Sequence, residues 1–331
     1  MKNISGVVLS VPFRIHSFVT DFGKMYEDKT KHNFGGGFGF LVSTDNFLTV
    51  KKSEKSKINV PYKNVINKYI DIFKSIYSYS GEFDIELENE FPKHNGYGST
   101  IVIITTVCVG INLILGNKLS KTELNALIFE NYCEEDINGT VVEALTSGIG
   151  SLTMLYGGII YMDNGTSFIR TEFDEKHRVV LFRTFEKKNE DKIYDVYDEF
   201  ELTEEYIESD LKDKEEKMDI IHNLLLPAIF RKDFEMMGKA NDILNEIGSG
   251  YVDCKQFEYK KQKKLFSNLR EKGASLVGIS SAGPTAYAIV KEEYEREIVN
   301  FLIREGIDKN TISVHKTDNR GIYVSDFLMY L

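Results

Sequence analysis

Three loops rich in glycine and hydroxyl side chains constrain this chain more than any other sequence feature. Each loop borders a strongly apolar run, and the loops are Pro92–Thr100, Thr146–Ser151 and Ser280–Thr285. Glycine lets backbone N–H groups approach a ligand where a Cβ would obstruct, and N–H groups at a helix start bind phosphate. One such loop is ordinarily a tight turn. Three of them at wide spacing predict one anion-binding site assembled from two halves of the chain.

Composition limits the class of protein and of partner. The chain has 331 residues, which suits about two domains, and 42% of them are apolar, which excludes global disorder. The net charge of −10 without a basic stripe argues against a nucleic-acid partner and leaves small anionic molecules open. The three cysteines form no C-x-x-C pair, so we expect reduced thiols and a cytoplasmic protein.

Hydrophobic periodicity predicts a mixed α and β structure. Residues 4–50 alternate and predict strands, and the apolar segment 101–115 falls short of the roughly 20 residues of a membrane span. Segment 99–115 suits a strand by its β-branched content and a buried helix by its length; we predict the helix. The charged stretch 204–218 predicts a solvated helix or the edge of a linker. A helix opened by Pro61 should bury one face, made of Val65, Ile66, Tyr69, Phe73 and Ile76.

The order of these elements resembles the GHMP superfamily, which is named for galactokinase, homoserine, mevalonate and phosphomevalonate kinases. The run from Pro92 to Ser99 is similar to its P-x-x-x-G-L-G-S-S loop, with Tyr97 at the usual leucine. The resemblance implies an α+β fold of GHMP type with two domains. It implies a ribosomal-protein-S5-like N-terminal α/β domain over residues 1–170 and a ferredoxin-like C-terminal domain over residues 171–331.

Further motifs resemble the beta-ribofuranosylaminobenzene 5'-phosphate synthase branch. They are Arg14-Ile15-His16, Gly36-Gly37-Phe38-Gly39, Thr146-Ser147-Gly148-Ile149-Gly150 and Ser280-Ser281-Ala282-Gly283-Pro284-Thr285-Ala286-Tyr287. The resemblance implies a decarboxylating phosphoribosyl transferase. Such an enzyme joins phosphoribosyl pyrophosphate to an aromatic or heteroaromatic acid with Mg²⁺ and releases pyrophosphate and CO2. It also suggests a homodimer, while the acidic charge and the short apolar runs predict no nucleic-acid or membrane partner.

The chemistry of this reaction selects candidate site residues. Arg14 and His16 are two apart, so a strand places them on one face, where they are candidates to hold the acceptor. Asp21 is the candidate to stabilise the cationic sugar. No histidine spacing indicates zinc, and no metal ligands are assigned. The predicted substrate-binding residues are Lys93, His94, Gly96, Gly98, Ser99, Thr100, Thr146, Ser147, Gly148, Ser280, Ser281, Gly283 and Thr285.

Other interpretations of the same residues stay open. Arg14 also suits an ordinary salt bridge, His16 a satisfied polar core position, and the two serines at 280–281 a capped turn. An ATP-dependent kinase of the same fold is the alternative enzyme. Many such kinases carry an aspartate after a Ser-Gly-hydrophobic segment, where this chain has Gly150. A non-catalytic binding protein is the third alternative, and the acceptor is an aminobenzoate, a hydroxybenzoate or a heterocyclic acid.

Overall fold

A computed structural model describes residues 4–24, 35–93, 95–144, 146–163, 167–183 and 201–330, with side chains to residue 325. The strands are β1 (Ile4–Ser10), β2 (Phe13–Phe18), β3 (Gly37–Val42), β4 (Phe47–Ser53), β5 (Lys57–Asn59), β6 (Glu82–Leu87), β7 (Cys133–Glu135), β8 (Val141–Glu143), β9 (Ile159–Met162), β10 (Phe168–Thr171), β11 (His177–Arg183), β12 (Ala274–Ile279), β13 (Thr285–Lys291), β14 (Ser313–Lys316) and β15 (Val324–Tyr330). The helices are α1 (Lys63–Tyr77), α2 (Ser99–Ile114), α3 (Lys121–Glu130), α4 (Ile149–Tyr156), α5 (Thr203–Lys212), α6 (Lys214–Ile220), α7 (Leu226–Arg231), α8 (Phe234–Leu244), α9 (Gly248–Lys255), α10 (Tyr259–Glu271) and α11 (Glu295–Arg304).

The first sheet packs against helices α1 and α2. Its strands lie in the order β15-β1-β4-β6-β5, antiparallel except for the β5–β6 pair. Helix α2 is buried on nearly all sides, which confirms the predicted buried helix and explains why its sequence lacks an amphipathic pattern. The predicted apolar face of α1 is buried except Ile76, which is 40% exposed in the last turn of the helix.

The second sheet contains β2, the strand that carries Arg14 and His16. Its order is β10-β9-β3-β2, all antiparallel, so β2 is an edge strand of this sheet. Helix α4 covers one face, and the Cβ position of Gly39 lies 3.6 Å from the Thr153 hydroxyl on that helix. The opposite face, through Ile15 and Phe40, shares a hydrophobic core with the third sheet.

The third sheet confirms the ferredoxin-like half of the predicted fold. Its order is β12-β13-β11-β14, so the four strands, numbered along the chain, lie in the order 2-3-1-4 and are antiparallel. Helices α10 and α11 cover one face with Leu265, Leu269 and Leu302. A π-helical segment (Ile221–Leu225), α7 and α8 pack with the other core.

The chain passes from the second sheet to the third between Thr171 and His177, close to the predicted boundary at residues 170 and 171. The last strand, β15, returns to pair with β1 in the first sheet, so the two ends of the chain meet there. The domain division therefore stays a prediction. Within the described ranges, no helix combines the length and the apolar character needed to cross a membrane.

The charged stretch at 204–218 differs from its prediction as a solvated segment. It forms α5 and α6, and it buries two opposite charges, Asp210 and Lys217, which are 4% and 2% exposed. The Lys217 ammonium donates to Asp210 at 2.5 Å and to the Ser249 hydroxyl at 3.1 Å. Each of the two buried charges thus has a partner of opposite sign, which the composition of the stretch does not predict.

Candidate functional site

Two of the three predicted loops meet at strand β2. The Ser280 hydroxyl donates to the Gly96 carbonyl at 2.5 Å and accepts from the His16 N–H at 3.1 Å. The Ser281 N–H donates to the His16 carbonyl at 2.8 Å. A Cβ on Gly96 would stand 2.7 Å from the Ser280 carbonyl oxygen, so this approach requires glycine. The Ser280 hydroxyl thus donates its proton to the Gly96 carbonyl, and Ser280 connects the loop at 92–100 to strand β2.

Arg14 lies at the start of helix α2. Gly98 caps that helix in the left-handed region with φ 62°, and the position of its missing Cβ is 2.5–2.8 Å from atoms of the Arg14 guanidinium. Arg14 is only 8% exposed, and its backbone N–H donates to the Tyr97 carbonyl at 3.3 Å. The N-terminus of a helix carries a partial positive charge. The guanidinium therefore adds a full positive charge to an end that already attracts anions.

His16 is held as a neutral imidazole beside this charge. Burial lowers the pKa of His16 to about 3, the Arg14 charge lowers it further, and a hydrogen bond with the Phe18 backbone opposes the shift. The Nε2 atom lies 2.8 Å from the Cβ position of Gly37. Among the described residues this atom has no hydrogen-bond partner. Because the hydrogen bond to the Phe18 backbone uses one ring N–H as donor, the Nε2 atom of the neutral ring is left as a hydrogen-bond acceptor.

The loop at 146–151 lies next to the same strands. The Gly36 N–H donates to the Ser147 carbonyl at 3.1 Å, and Gly148, with φ 84°, begins helix α4. The Gly148 N–H donates to the Thr146 hydroxyl at 3.4 Å. The Cβ position of Gly150 is 3.1 Å from Ile101 on α2, so a larger side chain here would press the two helices apart. All three predicted loops are thus within one region around β2 and β3.

Asp21 is tied to a different part of the chain. Its carboxylate pairs with the Lys214 ammonium at 3.0 Å and accepts from the Lys24 N–H at 3.2 Å. The structure brings Arg14 and His16 to the loops, and the role of Asp21 stays a prediction. His94 lies outside the described residues.

Tyr62 is a site residue that the sequence reading missed. Its phenol oxygen lies 2.5 Å from the Ser99 hydroxyl and also bonds to Thr100, and the Lys93 ammonium is 5.2 Å from its ring centroid. Tyr62 is 3% exposed, and burial raises the pKa of its phenol to about 12. One tyrosine thus touches three of the predicted anion-binding residues. No sequence signal pairs positions 62 and 99, which lie on different elements.

The remaining predicted residues shape the loops. Thr285 is 4% exposed and hydrogen-bonds Tyr97, whose ring stacks on Phe13 with centroids 4.3 Å apart. This packing explains how a tyrosine takes the place of the usual leucine. Gly283 has φ 74°, and a Cβ there would lie 2.5 Å from the Phe257 ring. The third loop is therefore fixed by packing on both sides.

Comparison with known proteins agrees with this architecture. Residues 225–308 match the family described as GHMP kinases C terminal. The chain is similar to a mevalonate diphosphate decarboxylase from Staphylococcus aureus, with a TM-score of 0.68, 15% identity and 98% coverage of both chains. It is also similar to a chain solved in complex with MVAPP, AMPPCP and magnesium, with a TM-score of 0.66, 13% identity and coverage of 98% and 100%.

Two curated relatives of different activity match at equal identity. A beta-ribofuranosylphenol 5'-phosphate synthase of Archaeoglobus fulgidus is 24% identical over 96% of this chain and 98% of its own length. A homoserine kinase of Clostridium botulinum is 24% identical over 88% of this chain and 95% of its own length. The relatives therefore support a GHMP-type enzyme and leave two reaction classes to be separated.

Proposed function

Because the chain has the GHMP-type fold and contains a GHMP kinase C-terminal domain, we propose that it is a decarboxylating phosphoribosyl transferase. It would join phosphoribosyl pyrophosphate to an aromatic carboxylic acid and form a C-riboside 5'-phosphate. One observation carries the proposal: the buried Arg14 guanidinium lies against Gly98 at the N-terminus of α2. The guanidinium and the helix N-terminus are both positive, and together they favour a highly charged anionic substrate.

The donor binds at this loop in our proposal. The backbone N–H groups at the start of α2, the Ser99 hydroxyl and the Arg14 guanidinium provide donors for a pyrophosphate group. The sequence reading assigned Arg14 to the acceptor carboxylate. Its contact with Gly98 favours the donor instead, because Gly98 begins the helix that would hold the phosphates. The acceptor ring then lies beside His16, two residues further along β2.

The reaction balances with these two substrates alone. The bond from the anomeric carbon to the pyrophosphate oxygen breaks, and pyrophosphate leaves with the electron pair. The ring carbon that carries the carboxylate bonds to the anomeric carbon. The carboxylate then leaves as CO2, and its bonding pair restores the aromatic ring. Positive charge beside the leaving pyrophosphate stabilises the first of these steps, while the neutral His16 orients the acceptor.

The name of the Archaeoglobus relative favours a hydroxybenzoate as the first acceptor to test, because decarboxylation and ribosylation of a hydroxybenzoate give a ribofuranosylphenol phosphate. An aminobenzoate and a heterocyclic acid remain in the panel. The kinase is the second candidate, because the homoserine kinase relative is equally identical. Gly150 has no side chain to act as the aspartate that many such kinases use, and a Cβ there would lie 3.1 Å from the Ile101 side chain.

Magnesium fits the donor set only through the substrate. Among the described residues, no three His, Cys, Asp or Glu side chains are grouped as a metal site. Mg²⁺ is commonly held by substrate phosphates and waters with one or two protein oxygens. The Ser99 and Thr100 hydroxyls are the protein oxygens beside the loop that would take part. The ion would neutralise charge on the leaving pyrophosphate.

The test separates the two reaction classes and the two roles of Arg14. The protein is incubated with Mg²⁺ and either phosphoribosyl pyrophosphate plus each aromatic acid, or ATP plus homoserine. Release of pyrophosphate and CO2, or of ADP, is measured. Binding of phosphoribosyl pyrophosphate and of hydroxybenzoate is then measured separately in Arg14→Gln. Arg304→Gln, on the exposed surface of α11, is the matched control.

We expect Arg14→Gln to weaken donor binding about ten- to a hundredfold, the usual effect of losing a charged hydrogen bond. Acceptor binding should change less, and Arg304→Gln should match the wild type. ADP formation with homoserine that Arg14→Gln abolishes, without pyrophosphate release from any acid, would replace the proposal by the kinase. A selective loss of acceptor binding would return Arg14 to the role predicted from the sequence.

A further inference from the structure

Tyr62 contacts the anion loop without belonging to it. It lies just before helix α1, whereas Ser99 is the first residue of α2. Tyr62 itself adopts a left-handed conformation, with φ 59° and ψ 42°, which is uncommon for a bulky residue. That conformation directs a 3% exposed ring toward the start of another helix. A purely apolar packing role would not require the phenol oxygen to reach a hydroxyl there.

We infer that Tyr62 is a positioning residue for anion binding, which acts by fixing the Ser99 hydroxyl. This inference rests on the proposed function. A serine hydroxyl has one proton and can accept two hydrogen bonds. When the Tyr62 phenol donates to the Ser99 oxygen, 2.5 Å away, the Ser99 proton is left to donate to the anion. The direction of this chain of hydrogen bonds follows from the acceptor character of a phosphate.

The surroundings of Tyr62 keep its phenol protonated, as donation to the Ser99 hydroxyl requires. Burial is the largest cause that raises its pKa to about 12, so the phenol carries its proton at neutral pH. The same ring lies under the Lys93 ammonium, 5.2 Å from the centroid. Cation–π attraction at that distance holds the ammonium near the loop. The hydroxyl and the ring thus act on two different predicted binding residues.

Tyr62→Phe isolates the hydroxyl, because phenylalanine keeps the ring over which Lys93 lies. The matched control is Tyr69→Phe, which makes the same change on the neighbouring helix α1. Tyr69 is also buried, and its hydroxyl donates to the Ile128 carbonyl at 3.2 Å, away from the loop. Ser99→Ala and the Tyr62→Phe/Ser99→Ala double variant complete the set.

Binding of inorganic pyrophosphate and of phosphoribosyl pyrophosphate is measured by calorimetry at fixed Mg²⁺, together with the thermal midpoint of each variant. We expect Ser99→Ala to weaken binding about ten- to a hundredfold, because it removes a hydrogen bond to a charged group, and Tyr62→Phe to weaken it about three- to tenfold. The double variant should bind about as well as Ser99→Ala, because Tyr62 acts through that hydroxyl. Tyr69→Phe should bind like the wild type, even if its thermal midpoint falls.

The outcomes separate this inference from the proposed function. If the wild type binds neither probe, the proposed donor site is wrong and Tyr62 has no such role. If the wild type binds and Tyr62→Phe binds equally well, the donor site stands and the inference is overturned. Multiplicative losses in the double variant would also overturn it, since they mean that Tyr62 acts independently of Ser99.

Discussion

Two buried cations of this protein are held in opposite ways. Lys217 is 2% exposed and lies 2.5 Å from the Asp210 carboxylate, which also accepts the N–H groups of Phe22 and Ser249. Arg14 is 8% exposed and lies at the positive end of α2. Lys217 thus contacts a group of opposite charge, whereas the Arg14 guanidinium lies against the positive N-terminus of α2. Both cations are buried, and the charge of the neighbouring groups is what distinguishes the structural Lys217 from Arg14, the proposed binding residue.

We expect the largest change in stability from the loss of Lys217, the structural cation. Lys217→Met leaves the Asp210 carboxylate buried without its cation, and we expect it to lower the free energy of unfolding by about 3–5 kcal/mol. Urea denaturation measures this. Lys212→Met is the control, since Lys212 is 81% exposed and 3.8 Å from Asp213; it should change stability by less than about 1 kcal/mol.

Pyrophosphate affinity of folded Lys217→Met should remain that of the wild type. A stability change below about 1 kcal/mol would mean that the pair contributes no more than a surface salt bridge, and the contrast with Arg14 would fail.

Gly98→Ala tests the proposed binding role of Arg14. Alanine at φ 62° is strained by about 1–2 kcal/mol, and its Cβ would displace the guanidinium, which comes within 2.5 Å. Gly306→Ala is the matched control, because φ is 88° and no described atom lies within 4 Å of its Cβ position. We expect similar losses of stability, but a fall in pyrophosphate affinity of about tenfold or more only for Gly98→Ala. Equal affinities in the two variants would remove Arg14 and Gly98 from the anion site.

The smallest effect is a change in pH dependence. His16 has a pKa of about 3 in the folded protein against an ordinary value of 6.5, so the unfolded chain binds more protons between those values. Stability from the neutral His16 is therefore fully present above pH 6.5 and is lost as the pH falls toward 3. His16→Gln should flatten the unfolding free energy over this window, by up to about 1.4 kcal/mol per pH unit.

Chemical denaturation at several pH values measures the difference between the two proteins. His177 and His315 also have pKa values lowered by burial, so both curves keep a remaining slope in the acid range. Parallel curves for wild type and His16→Gln would show that His16 is not buried in its neutral form.

The sequence predicted much of the fold because its signals are local. The capping box at Ser120 is formed as its spacing indicates, and the alternation of Phe83 and Ile85 gives a strand with one buried face. Glycines at 96, 98 and 148 all have positive φ, as loops that approach a ligand closely require. Local rules failed where burial is decided at a distance, as at Ile76 and in the charged stretch with Asp210 and Lys217.

The loops, the buried helix after them and the placement of Arg14 and His16 on one strand follow from neighbours along the chain, so the sequence predicts them. Which of these groups meet depends on how the elements pack in three dimensions. In the folded protein the Ser280 hydroxyl donates to the Gly96 carbonyl, Tyr62 hydrogen-bonds with Ser99, and the Asp21 carboxylate pairs with the Lys214 ammonium. Contacts between distant positions depend on how sheets and helices pack, and no local pattern encodes that packing.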